Sequence, residues 1–172
     1  MNGEHLTRIN VILRGMGYTH RQLFQKYMAP TSDAPLALEI KKADGVYMYD
    51  AQGKSYMDLI SGIAVSNVGH RNPAVVKAIK DQVDAYMHLM VYGEYIQSPQ
   101  VQLAEALVKS TGSEHLNQVY FTNSGTEAVE GAMKLAKRYT GRSEFISCFN
   151  AYHGASQGAL SIAGDENFKN AF

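Results

Sequence analysis

The spacing of apolar residues changes character along this chain, and each change predicts a different kind of element. Between Leu36 and Leu59, short β-prone runs alternate with turn residues. Val46-Tyr47-Met48-Tyr49 is followed by Asp50-Ala51-Gln52-Gly53-Lys54 and then by Ser55-Tyr56-Met57-Asp58-Leu59. That order predicts a hairpin with a longer loop containing Gly53, inside a small strand-rich unit. At Asn72-Pro73 the period turns helical. Asn72 suits an N-cap, and Pro73 suits the first helical position, where a missing N–H costs nothing. Val75, Val76, Ile79, Val83, Tyr86, Met87 and Met90 then recur at three- and four-residue steps and predict one apolar face. Ser98-Pro99 repeats the start signal ahead of Val101, Leu103, Ala104, Leu107 and Val108, and Gly112 marks the stop.

Beyond Gly112 a β–α–β alternation is predicted: a strand over 118–123, a helix over 126–140 and a strand over 144–149. The helix would carry Val129, Met133, Ala136 and Tyr139 on one side and stop at Gly141. Both strands are apolar on both faces, as in a mostly parallel sheet covered by helices on each side. The predicted fold class is therefore α/β.

Composition narrows this picture. The chain has 172 residues, 45% hydrophobic and 19% charged, which suits one globular domain or a piece of a larger one. Sixteen basic residues balance sixteen acidic ones, so neither a nucleic-acid nor a membrane-surface partner is expected. No apolar run is long enough to span a bilayer. Residues 1–19 hold two arginines and a short apolar patch (Ile9, Val11, Ile12, Leu13), without the continuous core of a secretory signal. The single cysteine, Cys148, points to a reducing, cytoplasmic setting. His70 and His153 have no second ligand at metal-binding spacing, so no metal is expected.

Candidate chemistry sits at two predicted strand ends. Asn123-Ser124-Gly125-Thr126 lies between a strand and a helix, where unpaired N–H groups and the positive end of the helix dipole can hold an anion. Gly125 would let a phosphate approach the backbone, and the hydroxyls of Ser124 and Thr126 could add hydrogen bonds. The plainer alternative is a simple helix cap, which nearly every helix has. The next strand ends in Asn150-Ala151-Tyr152-His153-Gly154, where Tyr152 could stack on a flat ring or could be a core tyrosine beside a turn. An anion cradle next to an aromatic plate fits a ring bearing a phosphate, and pyridoxal 5'-phosphate (PLP) is such a ligand.

These residues also resemble a known family. The run Phe121-Thr122-Asn123-Ser124-Gly125-Thr126-Glu127-Ala128-Val129-Glu130 is similar to the phosphate-loop motif of class-III aminotransferases. Asp44-Gly45, Asp50, Gly53, Asp58, Ser61-Gly62-Ile63-Ala64-Val65 and Gly69-His70 resemble that family's N-terminal segment, and Asn150 to Gly154 its ring-stacking segment. The resemblance runs from about Leu36 to Gly164 and is strongest to acetylornithine- and ornithine-type members.

The resemblance implies PLP-dependent transferase fold type I, with residues 20–70 as an N-terminal helix and strand-rich small-domain segment. Residues 71–172 would begin the PLP-binding large domain, and residues 1–19 would be an unmatched extension. It implies that Gly125 and Thr126 hold the PLP phosphate with Ser124 beside them, that Tyr152 stacks on the pyridine ring, that Ile63 lines the substrate pocket, and that Glu94 lies near the active site. It implies transfer of an amino group from a small-molecule donor to a keto acid, in a homodimer. Ala155 stands where acetylornithine enzymes carry a carboxylate-binding arginine. The family's Schiff-base lysine belongs to later strands, so the chain is expected to be an N-terminal portion, inactive alone. Lys109, Lys134 and Lys137 are expected to be solvated helix lysines. An aminomutase or lyase of the same fold, or a non-catalytic truncated chain, stays open beside the transaminase.

Overall fold

The computed structural model of the chain describes residues 17–90 and 93–172, and these fall into two compact units that divide between Leu89 and Met90. The first unit opens with helix α1 (His20–Tyr27). Its start is fixed locally by a reciprocal cap: the Thr19 side chain accepts from the Gln22 N–H, and the Gln22 side chain accepts from the Thr19 N–H. Strands β1 (Ile40–Asp44), β2 (Tyr47–Asp50) and β3 (Ser55–Met57) follow as an antiparallel sheet in sequence order.

The predicted hairpin is β2–β3, with Tyr47 opposite Met57 and Tyr49 opposite Ser55. Its loop is organised by Asp50. One carboxylate oxygen accepts from the Gln52 and Lys54 N–H groups and the other from the Tyr56 hydroxyl, each at 2.9 Å. These hydrogen bonds favour the ionised carboxylate and hold its pKa below the usual range, outweighing the opposing effect of desolvation, which is the largest single influence. The spacing-based reading did not isolate β1. Its Lys41, Lys42 and Asp44 break any apolar alternation, and the strand exists because its backbone pairs with β2.

Helix α2 (Pro73–Ala85) starts where the sequence predicts, with the Asn72 side chain accepting from the Ala74 N–H at 3.0 Å. It stops at Ala85, one turn before the predicted face ends, so Met87 and Met90 are not on it. In the second unit α3 spans Ser98–Thr111 and α4 spans Gly125–Thr140. Gly141 closes α4 in the left-handed region at φ 69°, a conformation that a β-carbon would strain. A short α5 (Gln157–Ser161) and one 3-10 turn (Glu166–Phe168) follow.

One expectation is corrected. Residues 118–122 and 144–148 carry no ladder, and no parallel pair forms among the described residues. The apolar pattern is there, but a strand needs a neighbour for its N–H and C=O groups. Strands joined by a single helix can be near-neighbours with another strand between them, and the described residues supply no such strand.

Few apolar side chains are covered. The buried hydrophobic residues of the described chain are Ala159 and Ala163. Val75, Ile79 and Val83 along α2, and Tyr120, Ile146 and Phe149 in the unpaired segments, are exposed. Tyr139 is also exposed, unlike the half-buried Val129, Met133 and Ala136 of the same helix. Surface of this kind drives association. The 172-residue chain by itself should therefore sediment as oligomers and bind a hydrophobic dye. A sharp, monomeric thermal transition would contradict this. No helix among the described residues is long and apolar enough to cross a membrane.

Candidate functional site

The site is built on the first turn of α4. Ser124 is the N-cap: its backbone is extended, and its Oγ accepts from the Glu127 N–H at 3.1 Å. The capping alternative therefore holds for Ser124, whose hydroxyl proton stays available to a second acceptor. The Glu127 carboxylate accepts from the Asn123 N–H at 2.7 Å. The next two N–H groups, of Gly125 and Thr126, have no acceptor among the described residues. They lie at the positive end of a sixteen-residue helix. Beyond its own helix turn, a β-carbon on Gly125 would meet no atom of the described residues within 4 Å, so the space beside this N–H is open among them.

The second predicted cluster is brought onto this turn. Gly154 is buried, and a β-carbon on it would overlap the Thr126 side chain, so its Cα lies directly against Thr126. The backbone at Gly154 adopts φ 136°. Only glycine meets both requirements comfortably. Tyr152, two residues earlier, is 60% exposed, and its ring meets Phe168 edge-to-face at 5.4 Å. Ser124, Gly125, Thr126 and Tyr152 thus belong to one neighbourhood, joined through the Thr126–Gly154 contact.

The neighbourhood is fastened by residues that the sequence reading passed over. Glu130, one turn along the half-buried side of α4 from Thr126, accepts from the Ser156 hydroxyl at 2.5 Å and from the Ala159 N–H at 3.0 Å. The Ser156 hydroxyl first, and then the N–H groups of Ala159 and Gly158, hold the Glu130 carboxyl below the usual range. Glu130 therefore anchors the start of α5 to α4. Gly164 closes the other end. Its N–H donates to the Ala151 carbonyl at 2.8 Å, and a β-carbon there would run into the backbone of Cys148, Asn150 and Ala151. An acidic residue in line with Thr126, Val129 and Met133 was the available signal for Glu130. Nothing in the sequence near Gly164 announces its contact.

The remaining candidates are described within their own units. Glu94 is exposed at the start of the second unit. Ile63 is in the first unit, at the apex of a turn, and is 87% exposed. Lys134 and Lys137 are exposed on α4, and Lys109 pairs with Glu105 at 2.6 Å, as expected for helix lysines. An open groove of about 530 Å³ in the first unit is lined by Asp44, Tyr47, Tyr49, His70 and Arg71 among others, and by none of the candidate residues.

Comparison with known proteins converges on one family. Residues 27–172 match the family model for class-III aminotransferases. The chain is 41% identical over 133 residues to the acetylornithine aminotransferase of Archaeoglobus fulgidus, covering 77% of this chain and 34% of that one. Its fold is similar to that of the taurine:2-oxoglutarate aminotransferase of Bifidobacterium kashiwanohense, solved in complex with PLP and glutamate. There the TM-score is 0.76 and the identity 36%, over 85% of this chain and 33% of that one. An omega transaminase from Pseudomonas jessenii in complex with PMP gives a TM-score of 0.79 at 27% identity, over 90% and 37% of the two chains. The chain thus spans about a third of the length of these relatives.

Proposed function

Since the chain belongs to the class-III aminotransferase family and carries a partial α/β portion of PLP-dependent transferase fold type I, we propose that the first turn of α4 is the PLP phosphate site of a transaminase. The observation that carries this reading is the seating of Gly154 on Thr126. It sets the segment that carries Tyr152, two residues earlier, against the turn whose Gly125 and Thr126 N–H groups have no acceptor among the described residues.

The residues present suit PLP. A phosphate dianion takes the N–H groups of Gly125 and Thr126, where the helix dipole favours negative charge, and the Ser124 hydroxyl donates a further hydrogen bond. The open space beside Gly125 admits the phosphate oxygens. Tyr152 covers one face of the pyridine ring and keeps water from it. Bound PLP supplies an electron sink for the amino group's carbon. The family resemblance gives Ile63 a place in the lining of the substrate pocket and Glu94 a place near the active site. No lysine of the chain is assigned a catalytic role. The same resemblance makes residues 20–70 the small-domain segment and residues 71–172 the beginning of the large domain. The reaction moves an amino group from a small-molecule amino donor to a keto acid, in a cytoplasmic homodimer.

The test uses the complete protein with PLP, 2-oxoglutarate and a panel of primary amines and amino acids. Glutamate should form in step with the donor's carbonyl product. Donor consumption with no glutamate, yielding ammonia or a shifted amine, would replace the transaminase with a lyase or mutase.

A further inference from the structure

Residues 58–70 form a surface loop whose two ends are fastened to the same turn. On entry, the Asp58 N–H donates to the Val46 carbonyl at 2.9 Å. On exit, His70 and Gly45 exchange both backbone hydrogen bonds, at 2.7 and 3.0 Å. Side chains then lock the ends together. His70 Nε2 lies 2.7 Å from Asp58 Oδ2, and these side chains are only 22% and 7% exposed. The other Asp58 oxygen accepts from the Ser61 N–H at 2.8 Å and the Ile60 N–H at 3.1 Å. Compact loops with joined ends are a recurrent setting for function.

Inside this loop the backbone turns the wrong way for L-residues. Ser61, Gly62, Ile63 and Ala64 all have positive φ, at 53°, 61°, 61° and 61°. Each non-glycine residue in this region is sterically disfavoured, and a β-branched residue there is a genuine outlier. Among the described residues no packing offsets the cost at Ile63, which is the most exposed residue of the turn's apolar side chains. Simple turn capping by an aspartate needs no left-handed isoleucine. Strain held against an exposed apolar side chain points instead to a task for that side chain. What holds it are the hydrogen bonds from the Ile63 N–H to the Ile60 carbonyl and from the Val65 N–H to the Ser61 carbonyl, with the Asp58 carboxylate gripping the first two N–H groups.

We propose that Asp58, seated against His70, is a positioning residue that keeps Ser61–Ala64 left-handed so that Ile63 is presented to the substrate. This rests on the reading of Ile63 as a substrate-lining residue. The same hydrogen bonds, led by that from Ser61 and then that from His70, keep the Asp58 carboxyl ionised well below the usual range.

A double-mutant cycle in the complete protein tests it, reading KM and kcat for the amino donor together with the visible absorbance of bound PLP. Ile63→Ala should raise KM about tenfold with kcat and absorbance kept, and Asp58→Asn should raise it by a similar factor. The double variant should be no worse than the worse single one, because Asp58 acts through Ile63. Should Asp58→Asn fail to fold, His70→Gln takes its place in the cycle, since it withdraws the ring from the carboxylate and leaves the acid in position. Multiplying effects would overturn the positioning role while the reading of Ile63 stood. An Ile63→Ala protein with the parent KM would overturn that reading and the proposal with it.

Discussion

Gly125→Val in the complete protein should weaken PLP binding about 100-fold while leaving the apoprotein's stability close to that of the parent. The two halves of this expectation come from different observations. Beyond its own helix turn, the β-carbon of the new side chain would meet no atom of the described residues within 4 Å, so the apoprotein should fold around it without repacking. The valine methyls would instead occupy the space beside the Gly125 and Thr126 N–H groups, which have no other acceptor among the described residues. Hydrogen bonds to a charged group contribute about 1.5–3 kcal/mol each. Losing the better part of two amounts to about 3 kcal/mol, or roughly two powers of ten in affinity. Val129→Ala on the same helix is the control. It trims a half-buried side chain and should lower the melting temperature with little change in PLP affinity. Equal PLP affinity in Gly125→Val and the parent, measured by equilibrium dialysis of the apoproteins, would reduce this turn to a helix cap.

Gly164→Ala should destabilise the second unit by at least about 2 kcal/mol. The added carbon would collide with the backbone of Cys148, Asn150 and Ala151, and no rotamer change can move backbone aside. Relief requires breaking the hydrogen bond from the Gly164 N–H to the Ala151 carbonyl and opening the turn that carries Tyr152. Limited proteolysis should then cut between residues 150 and 164, and PLP affinity should fall with the loss of the stacking plate. Parent-like melting and protease resistance would show that the turn has slack that the geometry does not reveal.

Much of the scaffold was legible from local pattern because the interactions that set it are local. Asn72-Pro73 starts a helix, Ser124 caps one and Gly141 ends one, each through groups within four residues. The β2–β3 hairpin follows from the Asp50–Lys54 loop, whose carboxylate collects its hydrogen bonds from the loop and from Tyr56 just beyond it. The run from Asn123 to Thr126 likewise announces a helix start with exposed N–H groups, a candidate anion site or a simple cap, because helix polarity and N–H exposure follow from where a helix begins.

Other features depend on atoms distant in sequence, and pattern alone could not supply them. Lys41 and Lys42 lie in a strand because β2 is there to pair with, while apolar residues at 118–123 and 144–149 form none without a neighbour. The left-handed turn at Ile63 runs against the residue's own preference and persists through Asp58 and its partner His70, twelve residues on. Glu130 reads as an ordinary helix residue until Ser156 and Ala159 arrive at its carboxylate from 26 and 29 residues away. The sequence by itself determined the helix starts, the hairpin and the candidate phosphate turn. Only the tertiary structure decided that the segment carrying Tyr152 packs against that turn, because the Gly154–Thr126 and Gly164–Ala151 contacts depend on space left empty by missing β-carbons, and empty space has no signature until the chain is folded around it.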